Sequence, residues 1–212
     1  MEQQTESLRL LFLSSALGPL GSGLGGGVEF KIKNLAQEMT RRGHQVTVAA
    51  VTGSKLAHGT LVEVDGSVQT NAFALGRQSP ITMPTAPAQA NILDYARQVQ
   101  SEYDVIISFA YEWLPLYLTP FFETPLAHFI SLPSLMDFMD DILCQIAIQY
   151  PYRLAVNTAA QADTYSFGDL CQIVGSGVDL AAYDFQPTPQ NQLAWVARIT
   201  PEKGLEDVTR IT

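Results

Sequence analysis

The chain has 212 residues, a hydrophobic content of 47% and a net charge of −9, with a pI near 4.7, so it can bury a sizeable core and is too acidic for nucleic acid or an anionic membrane as its main partner. The longest apolar runs are far shorter than the ~20 residues that span a bilayer, and the first residues are acidic and polar, unlike a signal peptide. We therefore expect a cytoplasmic protein without a membrane span, in which Cys144 and Cys171 are buried free thiols.

The beginning of the chain predicts a β-α-β unit. Residues 8–14 form a continuous apolar run of strand length, and residues 46–51 form a second one. The helix expected between them carries one apolar stripe, which consists of Val28, Ile32, Leu35 and Met39. We expect the charged and polar residues of this helix, Lys31 among them, to lie on its surface, and the helix to stop at Gly43.

The same alternation continues along the chain. Strands are predicted at residues 104–110, 125–131, 152–157 and 170–174, with one or two short strands at 60–75. Helices are predicted at residues 91–102, 113–122, 135–149 and 158–166, and the proline-rich residues 79–89 indicate an irregular loop. Alternating strands and helices predict an α/β fold with a doubly wound parallel sheet, which is a Rossmann-like domain.

A second domain is expected to begin near the C-terminal end. The glycines and prolines of residues 175–189 indicate a connection between domains. Beyond it, residues 192–198 are strand-like and lead into a turn that holds Arg198 and Lys203, two cations that suit a diphosphate. We expect one domain at residues 1–186 and, at residues 187–212, the first strand and helix of a second, incomplete domain.

The glycine-rich turn before the first helix invites comparison with nucleotide-binding loops. Gly21, Gly23 and Gly26 match the spacing of a dinucleotide fingerprint, but the loop is too long and no acid follows the second strand, which disfavours an NAD-dependent oxidoreductase. The P-loop pattern fails as well. The triple-glycine turn, formed by Gly25, Gly26 and Gly27, instead predicts bare backbone N–H groups at a helix start, where a phosphate can approach closely. A flexible loop is the alternative.

With both turns in view, the chain resembles the GT-B-fold glycosyltransferases of family 4, which are retaining enzymes. The segments that carry the resemblance are Gly25-Gly26-Gly27-Val28-Glu29, Arg42-Gly43-His44-Gln45-Val46, Gly175-Ser176-Gly177-Val178-Asp179 and Arg198-Ile199-Thr200-Pro201-Glu202-Lys203-Gly204. A narrower likeness to UDP-glucose-dependent pterin glucosyltransferases is carried by Gly18-Pro19-Leu20-Gly21-Ser22-Gly23 and Phe109-Ala110-Tyr111-Glu112-Trp113-Leu114-Pro115.

The resemblance implies an N-terminal domain that binds the acceptor and a C-terminal domain that binds a nucleotide sugar. It implies that Arg198 and Lys203 contact the donor diphosphate, with the triple-glycine turn against the donor phosphate or sugar. It implies no divalent ion and no cofactor other than the UDP-sugar co-substrate. The chain departs from the family at Ala197 and Ser176, where glycine and asparagine are usual, and the family's paired glutamates have no counterpart.

Four residues are candidates for catalysis and for acceptor binding. His128 matches a family histidine close to the reacting sugar and is the expected catalytic residue, with a core histidine as the alternative. Tyr111, Glu112 and Trp113 follow the predicted strand at 104–110, where ligands of parallel sheets gather. They are expected to bind a planar acceptor such as a pterin, Glu112 at its amino-pyrimidine edge, with ordinary core packing as the alternative. The other members of this aromatic wall are Tyr117, Phe121 and Phe122.

These expectations combine into a hexosyl transferase. It would move glucose from UDP-glucose to a small acceptor, such as tetrahydrobiopterin, with retention of configuration. Cations and helix-end N–H groups would stabilise the charge that grows on the leaving diphosphate. The alternative from a different class is a non-catalytic binding module that keeps the acceptor pocket and transfers nothing.

Overall fold

A parallel β-sheet of seven strands forms the centre of the protein in the computed structural model, which describes residues 6–188, 190–197 and 203–210. The strands are β1 (Arg9–Leu13), β2 (Gln45–Val51), β3 (Thr60–Val64), β4 (Val105–Ser108), β5 (Leu126–Ile130), β6 (Leu154–Val156) and β7 (Gln172–Ile173). Their order across the sheet is β3-β2-β1-β4-β5-β6-β7, and every pair is parallel. The order reverses between β1 and β4, as in a doubly wound, Rossmann-like α/β fold.

Helices cover both faces of this sheet. They are α1 (Gly27–Arg41), α2 (Ala88–Val99), α3 (Trp113–Tyr117), α4 (Asp137–Gln149), α5 (Ala159–Ala162) and, beyond the sheet in sequence, α6 (Leu205–Val208). On β1, Leu10 and Phe12 belong to the same core cluster as Ile32 of α1, whereas Leu11 and Leu13 belong to the cluster of Ile92 of α2. Because successive side chains of a strand point to opposite faces, these clusters bury the sheet from both sides.

One edge of the sheet gathers the carboxyl ends of all its strands, because the strands run in the same direction. Residues 14–26 leave β1 at this edge, and residues 109–112 leave β4 beside them. Ser131 and Asn157 directly follow β5 and β6. Ligands of open parallel sheets bind outside the carboxyl ends of the strands, so this edge is where a functional site is expected.

The predicted alternation of strands and helices is confirmed from β1 to β7. The helix predicted at 113–122 ends at Tyr117 and is followed by a 3-10 turn at Thr119–Phe121, and the helix predicted at 158–166 covers only Ala159–Ala162. Residues 60–75 contain one strand, β3, and a short 3-10 turn at Ala72–Ala74 in place of a second strand. The predicted strand at 192–198 was wrong over residues 192–197, which the structure describes as irregular, and Arg198 lies outside the described residues. A strand needs a neighbour for its backbone hydrogen bonds, and no strand is described after β7 to provide one.

The chain divides into two units, Met1–Val178 and Asp179–Thr212. The first contains the whole sheet and its covering helices. The described part of the second contains a 3-10 turn at Leu180–Ala182 and the short helix α6. All candidate residues of the sheet edge therefore belong to the first unit, and Lys203 belongs to the second.

Candidate ligand site at the carboxyl edge of the sheet

The glycine-rich turn between β1 and α1 folds around the carboxylate of Glu29. Glu29 lies in the first turn of α1 and is only 7% exposed. Its Oε2 accepts hydrogen bonds from the N–H of Gly21 at 2.6 Å and of Gly23 at 3.1 Å, and its Oε1 accepts one from the N–H of Gly25 at 2.6 Å. An acid at the third helical position often bonds the N–H groups that precede a helix, and here it holds three of them.

The prediction of bare N–H groups at the triple-glycine turn was therefore wrong for two of its three members. The N–H of Gly25 donates to Glu29, and the N–H of Gly26 donates to the carbonyl oxygen of Gly23 at 3.2 Å. Gly26 has a φ of 58°, a left-handed conformation that favours glycine. The backbone geometry of the turn therefore explains why this position is a glycine. Gly27 is the exposed first residue of α1, and no side chain caps this helix. Of the three glycines, it is the one whose N–H group remains available to a ligand, as predicted.

The three predicted acceptor residues lie together in one cavity. Tyr111, Glu112 and Trp113 connect β4 to α3 and line a cavity of about 40 Å³. The polar residues Gln69 and Thr70 contribute to the same wall. The remaining walls come from α4, the segment before it and the irregular loop, and include Met136, Phe138, Met139, Pro80, Ile81 and Thr82. A cavity of this volume holds water rather than a bicyclic ligand.

Glu112 contributes a carboxyl group to this cavity. The described residues offer its carboxyl group no side-chain hydrogen bond and no ion pair, and burial raises its pKa to about 7. At neutral pH the carboxyl therefore exists in both protonation states and can accept or donate a hydrogen bond. Burial, with the negative charge of Asp140 as a smaller cause, raises the pKa of Tyr111 to about 12, so this hydroxyl stays protonated.

The aromatic side chains beyond the cavity form a row rather than one wall. The rings of Trp113 and Tyr117 are stacked at 4.5 Å with an angle of 15°, and Tyr117 and Phe121 lie 5.9 Å apart at 44°. Tyr117 and Phe121 are exposed. Phe122 turns inward and joins the core cluster of α2, so its predicted place in the aromatic wall was wrong. The apolar surroundings of α2 explain this, since only one side of the 3-10 turn at Thr119–Phe121, which Phe122 ends, can face solvent.

His128 lies inside β5, within the strand predicted at residues 125–131. Its ring is 1% exposed, and its Nε2 lies 2.8 Å from the Oγ1 of Thr119. The Thr119 hydroxyl donates to the carbonyl oxygen of Pro115 at 3.2 Å, so the ring N–H donates to Thr119. Burial, with a smaller effect of the Arg153 charge, lowers the pKa of His128 to about 3 and keeps the ring neutral. This geometry is that of a core histidine, and the catalytic role stays a prediction.

Lys31 is a candidate that the sequence interpretation missed. It was placed on the surface of α1, but its ammonium group is half-buried over the ring of Phe129, 3.8 Å from the ring centroid. It donates to the Oγ of Ser131 at 2.8 Å and to the Oδ1 of Asn157. The signal was available, because Lys31 is three residues after Val28 and four before Leu35 and therefore lies on the apolar stripe.

Of the two predicted donor cations, Lys203 lies among the described residues and Arg198 does not. Lys203 is exposed, and its carbonyl oxygen accepts a hydrogen bond from the Nε1 of Trp195 at 3.2 Å. Gly204, with a φ of 62°, follows it and is the N-cap residue of α6. The paired-cation turn for a diphosphate therefore stays a prediction.

Comparison with known proteins adds no assignment: no protein-family model and no curated protein matches this chain. Among the described helices, none combines the length and the apolar character needed to cross a membrane. Three features remain at the carboxyl edge of the Rossmann-like sheet: the filled glycine-rich turn, the Glu112 cavity and the Lys31 cluster, which consists of Lys31, Phe129, Ser131 and Asn157.

Proposed function

We propose that the chain acts as a glycosyltransferase that moves glucose from UDP-glucose to a small planar acceptor, such as tetrahydrobiopterin, with retention of configuration. The observation that supports this most strongly is the Glu112 cavity at the carboxyl edge of the sheet. There Tyr111, Glu112 and Trp113 combine an unpaired carboxyl group with aromatic surface. The proposal includes the GT-B arrangement, in which the second unit begins the donor-binding domain.

The acceptor is recognised at Glu112 in this proposal. A carboxylate matches two parallel N–H donors, and an amino-pyrimidine edge presents such a pair. Trp113 and Tyr117 would extend the contact by stacking, since offset-stacked aromatic rings attract each other. The cavity of about 40 Å³ is smaller than a pterin, so binding must displace the irregular segment at residues 80–82.

The donor is held by cations of the second unit in this proposal. Arg198 and Lys203 would neutralise the charge that develops on the leaving UDP. At the triple-glycine turn, Gly27 has an N–H group left for an anion, because Gly25 and Gly26 already donate theirs. The proposal requires no metal ion and no cofactor besides the UDP-sugar, and it assigns the protein to the cytoplasm.

The test is glucosyl transfer by the chain, supplied with UDP-glucose and tetrahydrobiopterin and followed by mass spectrometry of the pterin. We expect a pterin glucoside from the wild type and at least ~10-fold less from Glu112→Gln, because the amide presents a donor where the acceptor also presents one. Glu123→Gln, at an exposed position, is the matched control and should transfer normally. Equal transfer by both variants would remove Glu112 from acceptor recognition.

A second candidate is acceptor binding without transfer. The filled glycine-rich turn favours it, since the carboxylate of Glu29 occupies N–H groups that a donor phosphate would use. Calorimetry with tetrahydrobiopterin alone separates the two functions. Pterin binding without glucoside formation supports the binding module, whereas the absence of both pterin binding and transfer contradicts both candidates.

A further inference from the structure

The segments that follow β5 and β6 meet at the ammonium group of Lys31, and the segment after β7 joins them through Asn157. Ser131 follows β5 and accepts from Lys31 at 2.8 Å, and Asn157 follows β6 and accepts through its Oδ1. Ser176, after β7, donates to the same Oδ1 at 3.2 Å. Each strand therefore contributes one small polar side chain to a site that α1 completes.

The amide of Asn157 is held in one orientation by a chain of hydrogen bonds. The Nε2 of Gln161 donates to the carbonyl oxygens of Ile130 at 3.0 Å and Leu132 at 2.8 Å, so its Oε1 must accept. That Oε1 accepts from both the backbone N–H and the Nδ2 of Asn157, each at 2.9 Å. The Oδ1 of Asn157 therefore faces Lys31, and the backbone of β5 ultimately fixes the position of the lysine.

This cluster has a positive charge and no acid. Within the described residues, Lys31 forms no ion pair, and its contacts are a hydroxyl, an amide oxygen and the ring of Phe129. Partial burial removes water from the ammonium group and lowers its pKa to about 8, so the group is still mostly protonated at pH 7. A charge that is partly desolvated and not neutralised is costly, and a bound anion would remove that cost.

We propose that Lys31, with the hydroxyl group of Ser131, binds the oxyanion group of a small ligand. The Ser131 hydroxyl accepts from Lys31, so its own proton is free to donate to a phosphate or carboxylate oxygen. Lysine provides a compact charge that suits such groups. The site lies at the carboxyl edge of β5 to β7, where parallel sheets bind ligands, and the proposed glycosyl transfer makes no use of it.

The experiment is an NMR titration of the chain with its lysine side-chain nitrogens labelled, using inorganic phosphate, pyrophosphate and acetate in separate arms. We expect the Lys31 Nζ signal to shift with saturation and its pKa to rise when an anion is bound, because the anion stabilises the charged form. Stronger binding of phosphate or pyrophosphate than of acetate identifies a phosphorylated ligand. Stronger binding of acetate identifies a carboxylate ligand. No sugar donor or pterin is present, so the result is separate from glycosyl transfer.

Two variants locate the binding. Lys31→Met keeps the length of the side chain and removes the charge, and it should weaken anion binding by about tenfold or more. Lys33→Met, on the same helix, is the matched control and should bind as the wild type does. If no anion shifts the Lys31 signal, or if Lys31→Met binds as tightly as the wild type, the proposal is overturned. The wild-type titration needs no variant to fold.

Discussion

Glu29 and Lys31 lie two residues apart on α1, and their charges are stabilised in different ways. Both are charged groups withdrawn from water at the carboxyl edge of the sheet. Glu29 is satisfied by three backbone N–H groups of the glycine-rich turn. Lys31 is positioned by neutral oxygen atoms and an aromatic ring, and no acid of the described chain balances its charge.

This difference between Glu29 and Lys31 indicates which of the two positions can bind an anionic ligand. A glycine-rich turn at a helix start is a general anion site, but here the chain fills it with its own carboxylate. The lysine, which no motif marks, has the charge that remains unbalanced. We infer that an anion binds at this edge through the side chain of Lys31 and not through the N–H groups of the turn.

The largest effect is expected from Glu29→Gln, which removes the carboxylate that fills the glycine-rich turn. Gln cannot accept at both of its terminal atoms, so N–H groups of the turn would lose their acceptor. We expect the free energy of unfolding to fall by about 3 kcal/mol in urea denaturation, the scale for hydrogen bonds to a charged group. Glu38→Gln, which removes a partly exposed acid of the same helix and its surface ion pairs with Arg41 and Arg42, should have a much smaller effect. Equal losses would mean that the turn does not depend on Glu29.

Glu112 extends the comparison to an acid with neither N–H donors nor a cation. Burial raises its pKa to about 7, so the folded state keeps a proton that the unfolded state releases near pH 4.5. Stability should therefore fall as pH rises from 4.5 to 7, and the loss is complete above pH 7. Glu112→Gln should raise the free energy of unfolding by about 2 kcal/mol at pH 8 and change it little at pH 4. A difference that is independent of pH would contradict this.

Gly25 and Gly27 form a matched pair that tests whether Glu29 fills the turn. A Cβ at Gly25 would lie 2.9 Å from the Cγ of Glu29, whereas a Cβ at Gly27 would meet no atom within 4 Å. Gly25→Ala should therefore destabilise the protein by about 1–2 kcal/mol through overpacking. Gly27→Ala, at the first position of α1, should be neutral or stabilising by up to about 1 kcal/mol. The check is urea denaturation of both variants, and the reverse order would show that Glu29 does not fill the turn.

The smallest effect is expected from the charge of Lys31 on stability. Burial lowers its pKa to about 8 from 10.5, so below pH 8 the folded state has the cost of a partly desolvated ammonium group. This cost disappears as pH rises from 8 through 10.5, because the folded state loses its proton first. Lys31→Met should be more stable than the wild type at pH 7, by less than about 1 kcal/mol after screening by water, with no advantage at pH 11. The neighbouring Ser131, Asn157 and Phe129 do not titrate in this range.

Much of the fold could be predicted because it depends on local pattern. The apolar runs at residues 8–14 and 46–51 gave β1 and β2, and the stripe from Val28 to Met39 gave α1. The strand expected at 192–198 failed because apolar composition alone does not provide a hydrogen-bonding neighbour.

The sites were predicted less completely because they depend on contacts between distant segments. Tyr111, Glu112 and Trp113 could be placed from their position after a strand. The convergence of Ser131 and Asn157 on Lys31 could not, since it needs the order of β5 and β6 in the sheet. The capture of the turn by Glu29 had a local signal, an acid in the first turn of a helix, but the number of N–H groups it holds depends on the path of the loop.

The most direct test of the central claim is a pyrophosphate titration of the uniformly labelled chain that follows the N–H signals of Gly21, Gly23 and Gly25 and the side-chain signal of Lys31 in one sample. We expect the chemical shift of the Lys31 signal to change and saturate, while the three glycine signals stay in place because Glu29 occupies their N–H groups. Saturable shifts of the glycine signals with an unchanged Lys31 signal would contradict it.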